Sequence, residues 1–422
     1  MSSKYGSIYF SIIPSYAGFT DQLHQFSAFY KLGLSLEYKY VHTSFSSKRS
    51  NPPRLSFLEK VTGKIYDKAP SGIKAILSPL KLESAFDVYE FLGFNQYLNS
   101  INPKLKLLDL KIINIELSDE LLEESNISSF DEIKKFVRIK SKIETDIDNR
   151  NLLVKFSLAG KRKRLFFLIH SSVSEFQDSL SLRSAYFKAR ELSPYKSIFK
   201  NRKIKILTHV RQGDVCVLET PWDTCIPLDS RRGDWLREYN KFEDIEPGDT
   251  LFRVADYYGF LKGLISCLGD DACSILCFSD GYKRALKLLE LNLNESGMSA
   301  AQIGALKRSL KAYEKRSFEP FLSLKNSQCF IGESSKKLCR LIHSTITADI
   351  IITSNQQRMI QKLVSSYCSL DRPIVIVLYK GRMPDNKDIM PMDEERFIYA
   401  SLHDPDYEHI VGKVVKLAGL MN

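Results

Sequence analysis

Polar residues follow directly after apolar runs at three points in this sequence. HVRQGD, His209 to Asp214, follows KIKILT; Ser279 and Asp280 follow SILCF; Thr353, Ser354 and Asn355 follow DIII. Arg211 offers a planar guanidinium whose forked N–H groups match phosphate oxygens, and it stays charged at any working pH. Regular alternation along the preceding strand puts His209 and Arg211 on one face and Val210 on the other. Ser354 falls at the expected N-cap of a helix, where free backbone N–H groups and the helix dipole favour an anion. GFTDQ, from Gly18 to Gln22, opens another expected helix in the same way.

Taken singly, these features have ordinary readings. Arg211 and Asp214 can pair with each other at a strand end. Ser354 can be a plain helix cap, and so can Asp21. Two clusters carry metal-ligand residue types: Asp146 with Asp148, and His403, Asp404, Asp406 and His409. Neither follows an apolar strand, and solvated turns are expected at both, because hard-cation sites need several converging oxygens. The spacing of Cys267, Cys273 and Cys277 does not match paired zinc ligands, so they read as reduced core thiols. Neither a metal nor a cofactor is expected.

The elements that must position these residues follow from periodicity. Ser7 to Ile13 reads as a strand, Asp21 to Leu34 as a helix with Leu23, Phe26, Phe29, Tyr30 and Leu34 near one face, and Glu37 to Val41 as a second strand. Residues 45–103 carry no readable chemistry. Leu105 to Leu117 and Asn151 to His170 read as extended, with GKRKR, Gly160 to Arg164, as a solvated hairpin turn inside the latter. Leu182 to Leu192 is helical.

Beyond Pro194, strands and helices alternate. The expected strands are Lys203 to Thr208, Ser274 to Phe278, Gln328 to Ile331, Asp349 to Ile352 and Pro373 to Tyr379. The expected helices are Val254 to Leu268, Tyr282 to Leu291, Ala300 to Lys315, Lys336 to Ile346 and Gln356 to Tyr367. This is the pattern of an α/β domain with a parallel sheet covered on both faces, whose ligand lies past the carboxyl ends of its strands. The division expected along the chain is 1–198, 199–400 and a C-terminal helix in 401–422.

With 422 residues, 44% hydrophobic and 26% charged, the chain is globular in composition and long enough for two or three domains. The net charge of +11 attracts phosphates, nucleic acid or an anionic membrane surface alike. A non-catalytic nucleotide-binding or nucleic-acid-binding protein is the alternative reading, but no RNP, KH or helix-turn-helix signature supports a nucleic-acid partner. The N-terminus, MSSKYGSIYFSIIPSY, lacks the basic and apolar regions of a signal peptide, and no apolar stretch reaches about 18 residues. A cytoplasmic protein, able to touch an anionic membrane peripherally, is expected.

Together, the motifs resemble one family. HVRQGD resembles the H-x-R-x-x-D signature of the α1,2-, α1,6- and protein O-fucosyltransferase superfamily. GFTDQLHQF resembles its N-terminal G-x-x-N-Q loop, FSD from Phe278 to Asp280 its F-S-D-D or A-T-D-D segment, and ADIIITSNQQR from Ala348 to Arg358 the Ala-Asp…Ser-Ser-Gln stretch of the α1,6 branch. The resemblance spans 7–44 and 203–379 and leaves the middle unmatched. It implies a GT-B-type fold, two Rossmann-like domains facing a cleft, and metal-free transfer of fucose from GDP-fucose to an oligosaccharide or glycan acceptor.

Carried onto matching positions, the resemblance puts Arg211 at the β-phosphate, with His209 supporting the nucleotide and Asp214 orienting the Arg loop. It puts Asp280 near the guanine or ribose, Ser354, Asn355 and Gln356 along the diphosphate, and Gly18, Asp21 and Gln22 in the N-terminal donor loop. The α1,6 branch has a Glu ten positions after the signature His; the ungapped count reaches Glu219, the expected general base. The chain departs from the pattern at Asp21, which replaces Asn; at Gly281, where a second Asp often stands; and at Asn355, which replaces Ser. Val217 to Trp235 aligns with nothing apart from that count and is read as an acceptor loop.

Overall fold

Short, continuous apolar runs separated by amphipathic helices build parallel sheets, and two such sheets organise this chain. A computed structural model describes residues 8–13, 19–41, 91–93, 111–145, 152–160, 163–170, 175–200, 204–212, 215–219, 224–229, 240–241, 252–282, 299–332, 335–354, 358–368, 373–380, 396–402 and 405–418. The chain divides into two compact units, residues 1–195 with 365–367 and residues 196–364 with 368–422.

In the first unit β1 (Ile8–Ile12), β2 (Lys39–Tyr40), β3 (Lys111–Leu117) and β4 (Leu152–Leu158) form a parallel sheet in the order β2-β1-β4-β3. Helix α1 (Phe19–Ser35) packs on it through Phe26, Phe29 and Tyr30, which meet Phe10, Tyr40 and Phe156 in a cluster of rings. The Phe10 ring approaches so closely that a Cβ on Gly33 would sit about 2.5 Å from its carbons, so this turn of the helix accepts only glycine. Leu34, expected on the buried face, is exposed. The helix ends there with Glu37 at φ 62° and Tyr38 N–H donating to Gly33 O, and Leu36 turns inward in its place.

Two helices unread in the sequence follow β3: α2 (Asp119–Glu124), capped by Ser118, and α3 (Phe130–Thr145). They account for a correction. The basic run after Gly160 is not the turn of a hairpin, and Leu165 to Ile169 is not a strand; Lys163–His170 is a helix, α4. Both carboxylate oxygens of Asp119 cap it, accepting from Arg164 N–H at 3.2 Å and Leu165 N–H at 2.8 Å, while the Arg164 side chain donates to Ile127 O. Helix α5 (Glu175–Leu192) follows.

The second unit has six parallel strands: β5 (Ile204–Val210), β8 (Cys273–Ser279), β9 (Ser327–Ile331), β10 (Ile350–Ser354), β11 (Ile374–Tyr379) and β12 (Phe397–Ser401). Their order is β12-β11-β10-β5-β8-β9. The chain builds outward from β5 through β8 to β9, then crosses back to place β10, β11 and β12 on the other side. The β5/β10 boundary is therefore the point where strand order reverses. Between β5 and β8 the chain forms an antiparallel hairpin, β6 (Val215–Glu219) with β7 (Cys225–Asp229), where a loop was expected; Leu218 and Ile226 pin it to the core.

Side-chain alternation divides the sheet. Ile204, Ile206, Val210, Ile275, Ile350, Ile352 and Ile376 meet helices α6 (Val254–Leu268), α7 (Ala300–Ser323) and α10 (Tyr407–Ala418) in one core. Helix α10 lies on α6, with the rings of Tyr407 and Phe260 5.5 Å apart. The other face carries Leu207, His209, Leu276 and Phe278, and α8 (Ser335–Thr347) packs on β5; α9 (Arg358–Tyr367) joins β10 to β11. The helix expected from Tyr282 to Leu291 falls outside the described residues, apart from Tyr282.

Candidate functional site at the strand-order reversal

The two strands at the reversal end in residues singled out by the sequence. β5 ends at Val210 and passes directly into half-buried Arg211; β10 ends at Ser354, which is buried. The strands are parallel and in register, Ile352 opposite Thr208. On the other side of β5, Val210 is opposite Ser279, so Arg211 and half-buried Asp280 leave the sheet side by side.

A residue unmarked by sequence reading lies near the two ends. Tyr257 lies in the first turns of α6, on the stripe formed by Val254, Leu261 and Leu264, and is fully buried. The Ser354 side chain and the Arg211 backbone lie close enough to its hydroxyl to favour the ionised form. Burial holds its pKa far above the ordinary phenol value, outweighing those two neighbours, so the phenol is neutral at working pH. Gln212, also fully buried, donates from Nε2 to Phe252 O at 3.1 Å and ties the Arg211 loop to the segment entering α6. Asp256 closes that entrance by accepting Arg253 N–H at 2.7 Å and pairing with the Arg253 guanidinium at 3.3 Å.

The remaining expected residues are distributed as follows. His209 is buried on the opposite face from Val210, in register with Phe278, whose ring stacks on Phe330 at 4.9 Å; Arg340 lies 5.3 Å from the Phe330 centroid. Gly281, at the position of the resembled family's second Asp, has φ 68°, and a Cβ there would lie 2.9 Å from Ile331 Cγ2 and 2.5 Å from Glu314 Oε1. Glu314 is engaged in accepting Tyr282 N–H at 2.8 Å.

Glu219 closes β6 opposite Cys225, on the hairpin rather than in the six-stranded sheet; its side chain lies outside the described residues. In the first unit Asp21 and Gln22 stand in the first turn of α1, Gln22 half-buried and the Asp21 side chain outside the described residues. The neighbouring Gln25 is fully buried and donates to Ile13 O at 2.7 Å, fastening α1 to the end of β1. Gly18, Asp214, Asn355 and Gln356 lie outside the described residues, as do Asp146, Asp148, His403 and Asp404.

Asp406 caps α10, accepting His409 N–H at 2.9 Å. Among the described residues no three His, Cys, Asp or Glu side chains group as metal ligands, and no helix is long and apolar enough to cross a membrane.

No protein-family model and no curated protein matches the chain. Among solved structures it is similar to a UDP-forming α,α-trehalose-phosphate synthase from Burkholderia xenovorans, with 11% identity over 94% of this chain and 78% of that one and a TM-score of 0.30. An α,α-trehalose 6-phosphate synthase from Burkholderia multivorans gives 10% identity over 99% and 90%, with a TM-score of 0.28. Likenesses at this level carry no argument about fold or activity.

Proposed function

We propose that this chain is an inverting, metal-independent glycosyltransferase of the GT-B type that transfers fucose from GDP-fucose to a hydroxyl of a glycan acceptor. The reading is carried by one observation: Arg211 and Ser354 stand at the carboxyl ends of the two strands that flank the strand-order reversal, where doubly wound sheets hold their ligands. The four motifs in family order support the choice of donor.

In such a reaction a base removes the acceptor proton on one face of the sugar while the nucleoside diphosphate departs from the other. The departing group gains negative charge. Arg211 meets it with a fixed cation and Ser354 with a hydroxyl held in place, and neither must reorganise as the charge develops. His209, Asp280 and Gln356 complete the nucleotide side, and Glu219 takes the acceptor proton. The basic excess suits work beside an anionic membrane.

The test is a donor panel of GDP-fucose, GDP-mannose and UDP-sugars, combined with titration of GDP. Saturable GDP binding that Arg211→Ala abolishes, and transfer from GDP-fucose that falls roughly a hundredfold or more in that variant, are expected. Transfer from UDP-sugars alone overturns the donor; salt-sensitive binding to polynucleotide without transfer overturns the enzyme. Glu219→Gln should spare GDP affinity and sharply lower turnover, and unchanged turnover removes Glu219 from the base role.

A further inference from the structure

We infer that Cys277 and Cys329 are a redox pair that a peroxide joins in a reversible disulfide, and that the bond regulates the Asp280 loop from the strands beneath it. The consequence for a ligand rests on the reading above that Asp280 meets the donor nucleotide; the chemistry of the pair does not.

Strand register sets the pair. Cys277 lies in β8 and Cys329 directly opposite it in β9, the edge strand of the sheet. Both face the same way: Cys277 belongs to the core built with α6 and α7, and Cys329 packs against that core. Both are free thiols. Neighbouring strands run about 4.8 Å apart, inside the span of roughly 4.4 to 6.8 Å that a disulfide bridges between its Cα atoms. The sulfurs sense each other as well, since burial and Cys329 beside it push the Cys277 thiol well above its ordinary value.

The two thiols differ in access. Cys277 is buried, whereas Cys329 is half-buried and meets an oxidant first. The Cys329 sulfur attacks hydrogen peroxide and becomes a sulfenic acid, with release of one water. Cys277 Sγ then attacks that sulfur, the S–O bond breaks, and the hydroxyl leaves with the Cys277 proton as a second water. In sum, two thiols lose two electrons and two protons, and one peroxide becomes two waters. A reducing dithiol returns the pair by exchange, the transient kind of disulfide that reducing compartments allow.

The bond lies just below the ends of both strands and has a route to the loop. A disulfide draws its Cβ atoms to about 3.8 Å, closer than the strand spacing, and so pulls β9 toward β8. Ile331, next after Cys329 on the same face, leaves no room for a Cβ on Gly281. Gly332 N–H donates to Ser279 O at 2.9 Å, and the rings of Phe278 and Phe330 stack on the opposite face. The end of β9 therefore moves together with the segment that carries Asp280.

The test treats the wild type and Cys329→Ser with hydrogen peroxide, maps non-reduced peptides by mass spectrometry, and titrates GDP calorimetrically before oxidation, after it, and after dithiothreitol. A Cys277–Cys329 peptide should appear in the wild type and vanish on reduction. Oxidation should weaken GDP binding about fivefold or more, the low end of coupling between sites, and leave the affinity of Cys329→Ser unchanged.

Overoxidised Cys329 without the linked peptide, or Cys329 joined to the exposed Cys267, overturns the pair. A linked peptide with unchanged GDP affinity overturns the regulation. Equal weakening in Cys329→Ser does so too, by assigning the effect to another thiol. Absence of GDP binding to the reduced wild type overturns the donor reading and the regulation with it, while the linked peptide still decides the pair.

Discussion

Asp349 and Lys205 clasp β10 to β5 at the amino ends of the strands. Asp349 Oδ2 accepts Lys205 N–H at 2.9 Å, and Asp349 N–H donates to Lys205 O at 2.9 Å. The Asp349 carbonyl accepts Ile374 N–H at 2.9 Å and brings in β11. Within ADIIITS, the acid therefore fastens the foot of β10 and the serine stands at its head.

Removing that clasp should cost stability. Asp349→Ala leaves the Lys205 N–H short of an acceptor in a half-buried place, at a cost of about 1–3 kcal/mol, read as a lower denaturant midpoint. Asp349→Asn retains a carbonyl oxygen and should lose less. Equal losses in the two variants would assign the effect to the charge rather than to the acceptor.

The basic run is a second place to measure. Asp119→Ala removes both acceptors from the start of α4, and cap losses of this kind cost about 0.5–2 kcal/mol. Trypsin should then cut between Gly160 and Arg164 faster than in the wild type. Glu123, 4.0 Å from the Arg164 guanidinium and exposed, should be replaceable by Gln with little change.

Gly281 bears on the family resemblance. Gly281→Asp, which rebuilds the family's acidic pair, should destabilise rather than improve activity, because φ 68° strains any side chain and the new Cβ meets Ile331. A loss of about 1–3 kcal/mol is expected, and a stable variant with faster turnover would show that the loop re-forms around the acid.

Alkaline pH should weaken the second unit. Burial pushes the Cys273 thiol up to about 11 from its ordinary 9.0, with Asp270 adding to the shift. Burial, and Cys329 beside it, push Cys277 well above the same value. Unfolded thiols ionise first, so between pH 9 and 11 the unfolded chain binds fewer protons and stability falls as pH rises; below that window these groups contribute no slope. Unfolding midpoints at about pH 8 and pH 10 check this, and Cys273→Ala should flatten the difference.

The parallel sheet of the second unit was legible because each strand is a continuous apolar run closed by polar residues, as in KIKILT, SILCF and PIVIVLY. The position of Arg211 after its strand followed from the same pattern, whereas Ser354, expected at a helix N-cap, is the last residue of β10, and α9 begins at Arg358. Other elements depend on distant partners. LFFLIH reads as a strand until Asp119, 46 residues before Leu165, caps it as a helix. Pro227 argues against a strand in any sheet interior, yet β6 and β7 are both edges and accept it. The place of Tyr257 near Arg211 and Ser354 was illegible for another reason: its spacing with Val254, Leu261 and Leu264 is that of a core residue.

The crossing that puts β10 beside β5 also sets a timetable. Lys205 and Asp349 lie 144 positions apart, whereas β5 meets β8 after a far shorter loop, and closing the longer one is entropically dearer and slower. A refolding chain should regain helix signal and the β5–β8 pairing first and complete the proposed ligand site only when β10 docks. Ligand-binding competence would then trail circular dichroism in a stopped-flow trace, and a nascent chain that has not yet exposed Asp349 would hold the arginine without the partner that completes its site.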